Sequence, residues 1–181
     1  IFSTHIGKQV VEFGAGNGAI SELVLPHTEV LQLVEPSPDM FTVLEQRFLK
    51  NENVTVYRET LEYYLSNQES NNYDTVILVN VLEHIKNDRQ ALRDVNAQLI
   101  EGGKLLLFVP ATQFLFSKLD SKYGHYRRYA LPSFRNLIEQ NGFLIYQALY
   151  MDILGMAPWW IVNTIGGQTE FNRFLISLYD K

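Results

Sequence analysis

Val10-Val11-Glu12-Phe13-Gly14-Ala15-Gly16-Asn17-Gly18-Ala19-Ile20 is the stretch whose reading decides the fold. It opens on β-favouring apolar residues, turns through three glycines at alternate positions and re-enters an apolar pattern with helical spacing. Strand, Gly-rich turn and helix start, in that order, make a nucleotide-type binding corner. Glycines reach φ > 0 and let a ligand approach the main chain. The N–H groups at the helix start, which lack intrahelical partners, face that ligand.

Outward from this corner, apolar strands alternate with helices. Residues 9–13 read as the first strand and 19–25 as a short helix stopped by Pro26. Residues 30–34 form a second strand ending at Glu35-Pro36, and a helix starts near Pro38, a favoured first-turn residue. A third strand (54–57) precedes a helical turn (61–65) and a polar loop (66–72). The β-branched run 75–79 is a fourth strand, buried on both faces. A helix over 88–100 ends at Gly102-Gly103, and 104–109 is a fifth strand. A long aromatic and basic loop (111–130) leads to a helix (132–140), a sixth strand (143–151) and a last amphipathic helix marked by Phe171, Phe174, Leu175 and Leu178. The pattern predicts an α/β, Rossmann-like, doubly wound and mainly parallel sheet with helices on both faces. Ligands in such sheets bind at the carboxyl ends of the strands. Gly14–Gly18, Glu35, Glu59 and Asn80 all fall there.

Composition narrows the class. The 181 residues fit one domain with a sizeable core, 46% being hydrophobic and 19% charged. A net charge of -5 argues against a nucleic-acid partner. With no cysteine there are no disulfides or thiolate sites, and the four scattered histidines have no ligand-like spacing, so no metal is expected. Nothing at the start resembles a signal peptide, and the expected compartment is the cytoplasm. Residues 143–167 are apolar, but Gln147, Asp152, Pro158 and Asn163 interrupt them, so a membrane span is not expected; Trp159-Trp160 is the one candidate for membrane contact.

The glycines alone also fit a loose dinucleotide fingerprint, and Glu12 separates the two readings. A dinucleotide brings a doubly negative diphosphate to this corner, and a nearby carboxylate repels it. S-adenosylmethionine brings a cationic amino group and a sulfonium, which a strand-end acid favours.

Val10-Val11-Glu12-Phe13-Gly14-Ala15-Gly16-Asn17-Gly18 resembles the first motif of class I S-adenosylmethionine-dependent methyltransferases. Val34-Glu35-Pro36-Ser37, Val79-Asn80-Val81-Leu82-Glu83-His84-Ile85 and the run from Glu101 to Pro110 agree with it in order and spacing. His125-Tyr126-Arg127-Arg128-Tyr129, followed by a helix and Asn141-Gly142-Phe143, is similar to the branch acting on small molecules, lipids and saccharides. The resemblance covers roughly residues 8–152. It implies that Glu12, Gly14 and Gly16, with Ala15 and Gly18, border the methionine half of the cofactor. Glu35 takes the ribose hydroxyls, Pro36 and Met40 lie near the adenine, and Glu59 with Thr60 receives its amino group. Asn80 and Val81 face the amino-acid end. The implied unit is one domain over 1–181, with its core at 8–152 and a helical segment at 153–181. The family's reversed seventh strand has no clear candidate, and few residues precede the first strand, so a domain shortened at both ends is expected.

The implied reaction is in-line methyl transfer to a small-molecule, lipid or saccharide-type acceptor, releasing S-adenosylhomocysteine. His84 and His125 are the candidate bases. Tyr123, Arg127, Arg128 and Tyr129 are the candidate acceptor-binding residues, the arginines suggesting an anionic group. The competing readings are an NAD(P)-dependent oxidoreductase, disfavoured by Glu12 and the lack of a Tyr-x-x-x-Lys pair, and a non-catalytic methyltransferase-like binding module.

Overall fold

The computed structural model describes residues 5–68 and 72–151. Five parallel strands form one sheet in the order β3-β2-β1-β4-β5, with β1 (Gln9–Phe13), β2 (Val30–Val34), β3 (Val54–Tyr57), β4 (Tyr73–Val79) and β5 (Leu99–Phe108). The connecting helices are α1 (Ala19–Val24), α2 (Pro38–Phe48), α3 (Leu61–Ser66), α4 (Asp88–Gln98), α5 (Lys118–Lys122) and α6 (Leu131–Gln140).

Strand periodicity divides the core between two faces. Val11, Phe13, Val76 and Leu78 pack against Tyr64 and Leu65 of α3, Leu92 and Val95 of α4 and Leu137 of α6. Val10, Leu31, Leu33 and Ile77 cover the other face with Val24 of α1 and Leu44 and Phe48 of α2. Both faces are therefore sheathed, as the two-sided apolar strands require. The helix starts are set by local chemistry: Ser37, Thr60 and Asn87 accept from the main-chain N–H three residues on, at the heads of α2, α3 and α4.

Two expected elements differ. The helix over 88–100 stops at Gln98, because Leu99 turns extended and pairs with Tyr73 of β4. Gly102, at φ 77, then forms an irregularity before Lys104 pairs with Thr75. The glycine pair thus shapes the start of β5 instead of ending the helix. The second difference is at 143–151, which carries no strand. Among the described residues nothing pairs with the outer edge of β5, and an extended segment without a ladder partner leaves its backbone groups to solvent. Leu144 and Tyr146 are accordingly almost fully exposed. The expected 111–130 loop contains a short helix, α5, and is bridged at Ala111 and Tyr129. The last amphipathic helix and Trp159-Trp160 lie outside the described residues. No described helix is long and apolar enough to cross a membrane.

The three glycines of the first turn all have positive φ (66, 56 and 83°), yet they differ in surroundings. A Cβ on Gly14 would lie 2.4 Å from Val81 Cγ2, and one on Gly18 would lie 2.7 Å from Phe48 and 2.8 Å from Leu44. A Cβ on Gly16 would meet nothing within 4 Å. Gly18→Ala therefore combines a left-handed-backbone cost of roughly 1–2 kcal/mol with overpacking of roughly 1–3 kcal/mol. Gly16→Ala carries the first cost alone. Urea unfolding is expected to show Gly18→Ala as clearly the less stable variant.

Candidate functional site

The carboxyl ends of β1, β2 and β4 converge on the glycine turn. Main-chain N–H groups of Gly14 and Ala15 donate to Val34 O at 2.8 and 3.4 Å, tying the turn to the end of β2. Glu35, the next residue, is buried; its Oε2 accepts from Gly16 N and its Oε1 from Ser37 N, both at 2.8 Å. The open face of Gly16 is thus held beside a fixed carboxylate. Glu12 is buried on the α1 side of the sheet and accepts from Ser21 Oγ at 2.6 Å. Burial pushes its carboxyl up to about 7, against the lowering effect of the Ser21 bond.

Around this turn, Pro36 and Met40 are exposed at the head of α2, and Glu59 is half-buried just ahead of Thr60, the cap of α3. Asn80 closes β4 in a left-handed conformation, φ 54, and its N–H donates to Phe108 O at 2.9 Å. Val81 packs on Gly14. The residues expected from the sequence at 12–18, 35–40, 59–60 and 80–81 therefore occupy one strand-end rim.

Beyond Val81, a 3-10 turn, Leu82–His84, is clasped by the segment after α5. Tyr126 N donates to Glu83 O at 2.8 Å, and the Tyr129 hydroxyl donates to Leu82 O at 3.3 Å and Asp88 Oδ2 at 3.1 Å. Arg127 pairs with Asp88 at 2.6 Å and donates to Lys86 O at 2.7 Å. Arg128 grips buried Asp120 with two bonds, 2.8 and 3.1 Å. Asp120 also accepts from Ser117 N, Ser117 Oγ and His125 Nδ1. Burial alone would raise the Asp120 carboxyl, but the Arg128 and Ser117 bonds and the Arg128 charge outweigh it and hold it below the usual range.

Arg127 and Arg128, the expected acceptor-binding arginines, both engage aspartates of the fold, Asp88 and Asp120. Tyr129 is buried in the core, whereas Tyr123 and Tyr126 are exposed. The clasp also brings His125 against His84, ring centroids 4.6 Å apart. Burial and then the neighbouring His125 lower the His84 imidazole. Glu83, between them in the fold, is fully buried, and neither side-chain oxygen has a hydrogen-bond partner. Burial pushes it up to about 7, offset in part by the nearness of its own main-chain N–H, which is not aligned as a hydrogen bond, and by the Arg128 charge, while Asp120 adds to the rise. Glu83, His84 and His125 place ligand atoms within 4.8 Å of one another. Histidine spacing along the chain gave no sign of this, because the third member arrives from a loop 41 residues on. Glu83 and Asp120 were missed for the same reason, although Glu83 is quoted within the fourth-strand motif.

This strand-end rim on a 3-2-1-4-5 parallel sheet is that of a class I methyltransferase fold. A family model described as a methyltransferase domain matches residues 11–105, just over half of the chain, and the chain belongs to that family. Among curated relatives, a ubiquinone biosynthesis O-methyltransferase of Coxiella burnetii is 19% identical over 139 residues. The match takes in 70% of this chain but only 59% of that relative's length. Among solved structures, the YcgJ protein from Bacillus subtilis superposes with a TM-score of 0.70 at 19% identity, covering 87% of this chain and 74% of that one. The trans-methyltransferase CalH, in complex with S-adenosylhomocysteine, gives 0.60 at 21% identity, covering 77% and 46%.

The clasp makes a stability prediction. Arg128→Ala leaves the buried Asp120 charge without its main partner, and breaking such a pair costs about 3–5 kcal/mol. The loss should show in urea unfolding at neutral pH. Paired Asp120, with its lowered carboxyl, stabilises the wild type above its unfolded value of 3.8 and loses that contribution as pH falls through its folded value. In the variant the unpaired carboxyl takes up a proton sooner, so the gap between the two proteins should narrow as pH is lowered.

Proposed function

We propose that this chain transfers a methyl group from S-adenosylmethionine to a small-molecule, lipid or saccharide-type acceptor, leaving S-adenosylhomocysteine. The observation that carries the reading is the open main chain at Gly16, held between two buried strand-end acids, Glu12 and Glu35, in a member of the methyltransferase domain family. The residues fit the cofactor. Gly16 leaves room for close approach, Glu35 is an acceptor placed for a diol, and Glu12 favours a cation over a diphosphate. The one arginine described beside the turn, Arg47, is paired with Glu22 and donates to Asn17 O. The S-adenosylhomocysteine held by CalH and the O-methyltransferase name of the Coxiella relative support the same class.

When bound, the cofactor supplies an activated methyl on a sulfonium. The protein's part is alignment of an acceptor with that carbon, which can be worth ~7–11 kcal/mol. A general base typically adds ~10²–10⁴-fold, roughly 3–5 kcal/mol. Alignment is the larger effect, and it falls to the rim and the clasp. His125, oriented by Asp120 through Nδ1, keeps its other nitrogen for proton transfer; His84, with its lowered imidazole, is neutral at physiological pH. With Arg127 and Arg128 engaged, an acceptor without a fixed negative charge fits the clasp better than an anion.

A ligand at ~100 Kd adds ~2.7 kcal/mol of stability. S-adenosylhomocysteine is therefore expected to raise Tm by several degrees, and NAD is not. Incubation with S-adenosylmethionine and hydroxylated acceptors should release S-adenosylhomocysteine. A shift with NAD alone would replace this reading with an oxidoreductase, and binding without release over a broad acceptor panel would replace it with a binding module.

Glu12 predicts a pH signature as well. Its carboxyl sits at about 7 in the free protein, and the cationic guest needs it ionised. Cofactor affinity measured by calorimetry should fall as pH drops below about 7, approaching tenfold per unit. In Glu12→Gln the affinity should be weaker at pH 8 and nearly flat across the same range.

A further inference from the structure

The least explained group in the molecule is Glu83. A carboxylate fully removed from water is normally paired or richly hydrogen-bonded, because leaving it bare is costly. Asp120, one loop away, shows the usual solution, with five donor contacts. Glu83 has both side-chain oxygens buried and unpartnered, and they lie among two imidazoles.

We propose that Glu83, His84 and His125 form a binding site for one divalent transition-metal ion of the zinc type. One carboxylate and two imidazoles suit such ions; Mg²⁺ and Ca²⁺ favour sets made of oxygen. His125 is already in the arrangement that metal-binding histidines use. Its Nδ1 donates to Asp120 at 3.0 Å, which fixes the ring and leaves the Nε2 lone pair for a cation, whose binding would take the place of proton transfer at that nitrogen. His84 is exposed, so an entry path exists. Ligand atoms around a tetrahedral zinc lie roughly 3.4 Å apart, so the three groups, now within 4.8 Å, close by up to roughly 1.4 Å on loading. Three protein ligands leave a fourth position for water or for an acceptor oxygen, the arrangement of catalytic rather than structural sites. The site shares one cleft with Asn80 and Tyr129, next to the cofactor rim. Metal binding as such does not depend on the methyl-transfer reading. A metal-held acceptor oxygen does depend on it.

The test titrates Zn²⁺ into untagged, chelator-treated protein, using a competing zinc dye for affinity and Co²⁺ visible spectra for coordination. One equivalent should bind, with a Co²⁺ spectrum of nitrogen and oxygen ligands. Glu83→Gln and His125→Ala should each weaken binding at least tenfold. His84→Asn, at an exposed position that tolerates change, should do the same with an unaltered circular dichroism spectrum. It serves as the check if the buried variants fold poorly. Zinc that fails to saturate at one equivalent, or binds equally well to folded Glu83→Gln or His84→Asn, overturns the site. Zinc binding without an S-adenosylhomocysteine thermal shift would leave the metal site standing and remove the methyltransferase reading; the opposite pair of results would do the reverse.

Discussion

Parallel pairing of β1 with β4 is the constraint on which the rest of the structure depends. Parallel neighbours cannot be joined by a hairpin, so each strand's continuation must leave the sheet at its carboxyl end and return through a helix. Because β2 and β3 lie on one side of β1 and β5 on the far side of β4, the loops after β1 and β4 depart in opposite directions. The gap between them is where a ligand can enter. Gly14 and Val81 are the two residues that meet across it, and their contact admits no side chain on the glycine.

Besides Glu12, which Ser21 holds, three buried carboxylates divide the labour. Glu35 accepts one main-chain N–H on each oxygen, which fixes the turn and leaves each oxygen a further lone pair. Asp120 collects donors from Ser117, His125 and Arg128, and so fixes the loop that carries His125. Glu83 has no such partners. Carboxylates holding several N–H bonds stay ionised well below neutrality, whereas bare ones move toward it. The contrast between Asp120 and Glu83 follows that rule, and it separates a group whose work is architectural from one whose ionisation is still open to a ligand.

The sheet was legible because its strands are short β-branched runs bounded by Gly, Pro or acidic residues; the bounds of β2 and β3 coincide with the expected ones. Boundaries failed where tertiary pairing overrode local signals. Leu99 looked helical by spacing, yet Tyr73 was available to pair with it. Residues 143–151 had strand composition, but whether they dock on the edge of β5 is decided by tertiary packing, which no local pattern reports. At the strand ends, the glycine turn and the acids beside it were readable because main-chain turns and strand-end acids leave fixed spacings. The clasp was not. His125-Tyr126-Arg127-Arg128-Tyr129 displays its charges openly in the sequence, and only the fold reveals that Asp88 and Asp120 neutralise them.

This asymmetry bears on how such a domain acquires its chemistry. The glycine turn is built from main chain and two acids, Glu12 and Glu35, at the ends of adjacent parallel strands. The clasp is built from side chains of the 111–130 segment, anchored at Asp120 and Asp88 and stitched to the 3-10 turn by Tyr126 and Tyr129. Moving that loop by 1 Å would leave the glycine turn untouched but would displace His125 from His84 and Glu83. The buried ion pair at Asp120 thus fixes where His125 stands relative to His84 and Glu83. A fold likeness therefore speaks for the sheet and its glycine turn, and the loop's own contacts must be read, residue by residue, to learn what can be placed opposite them.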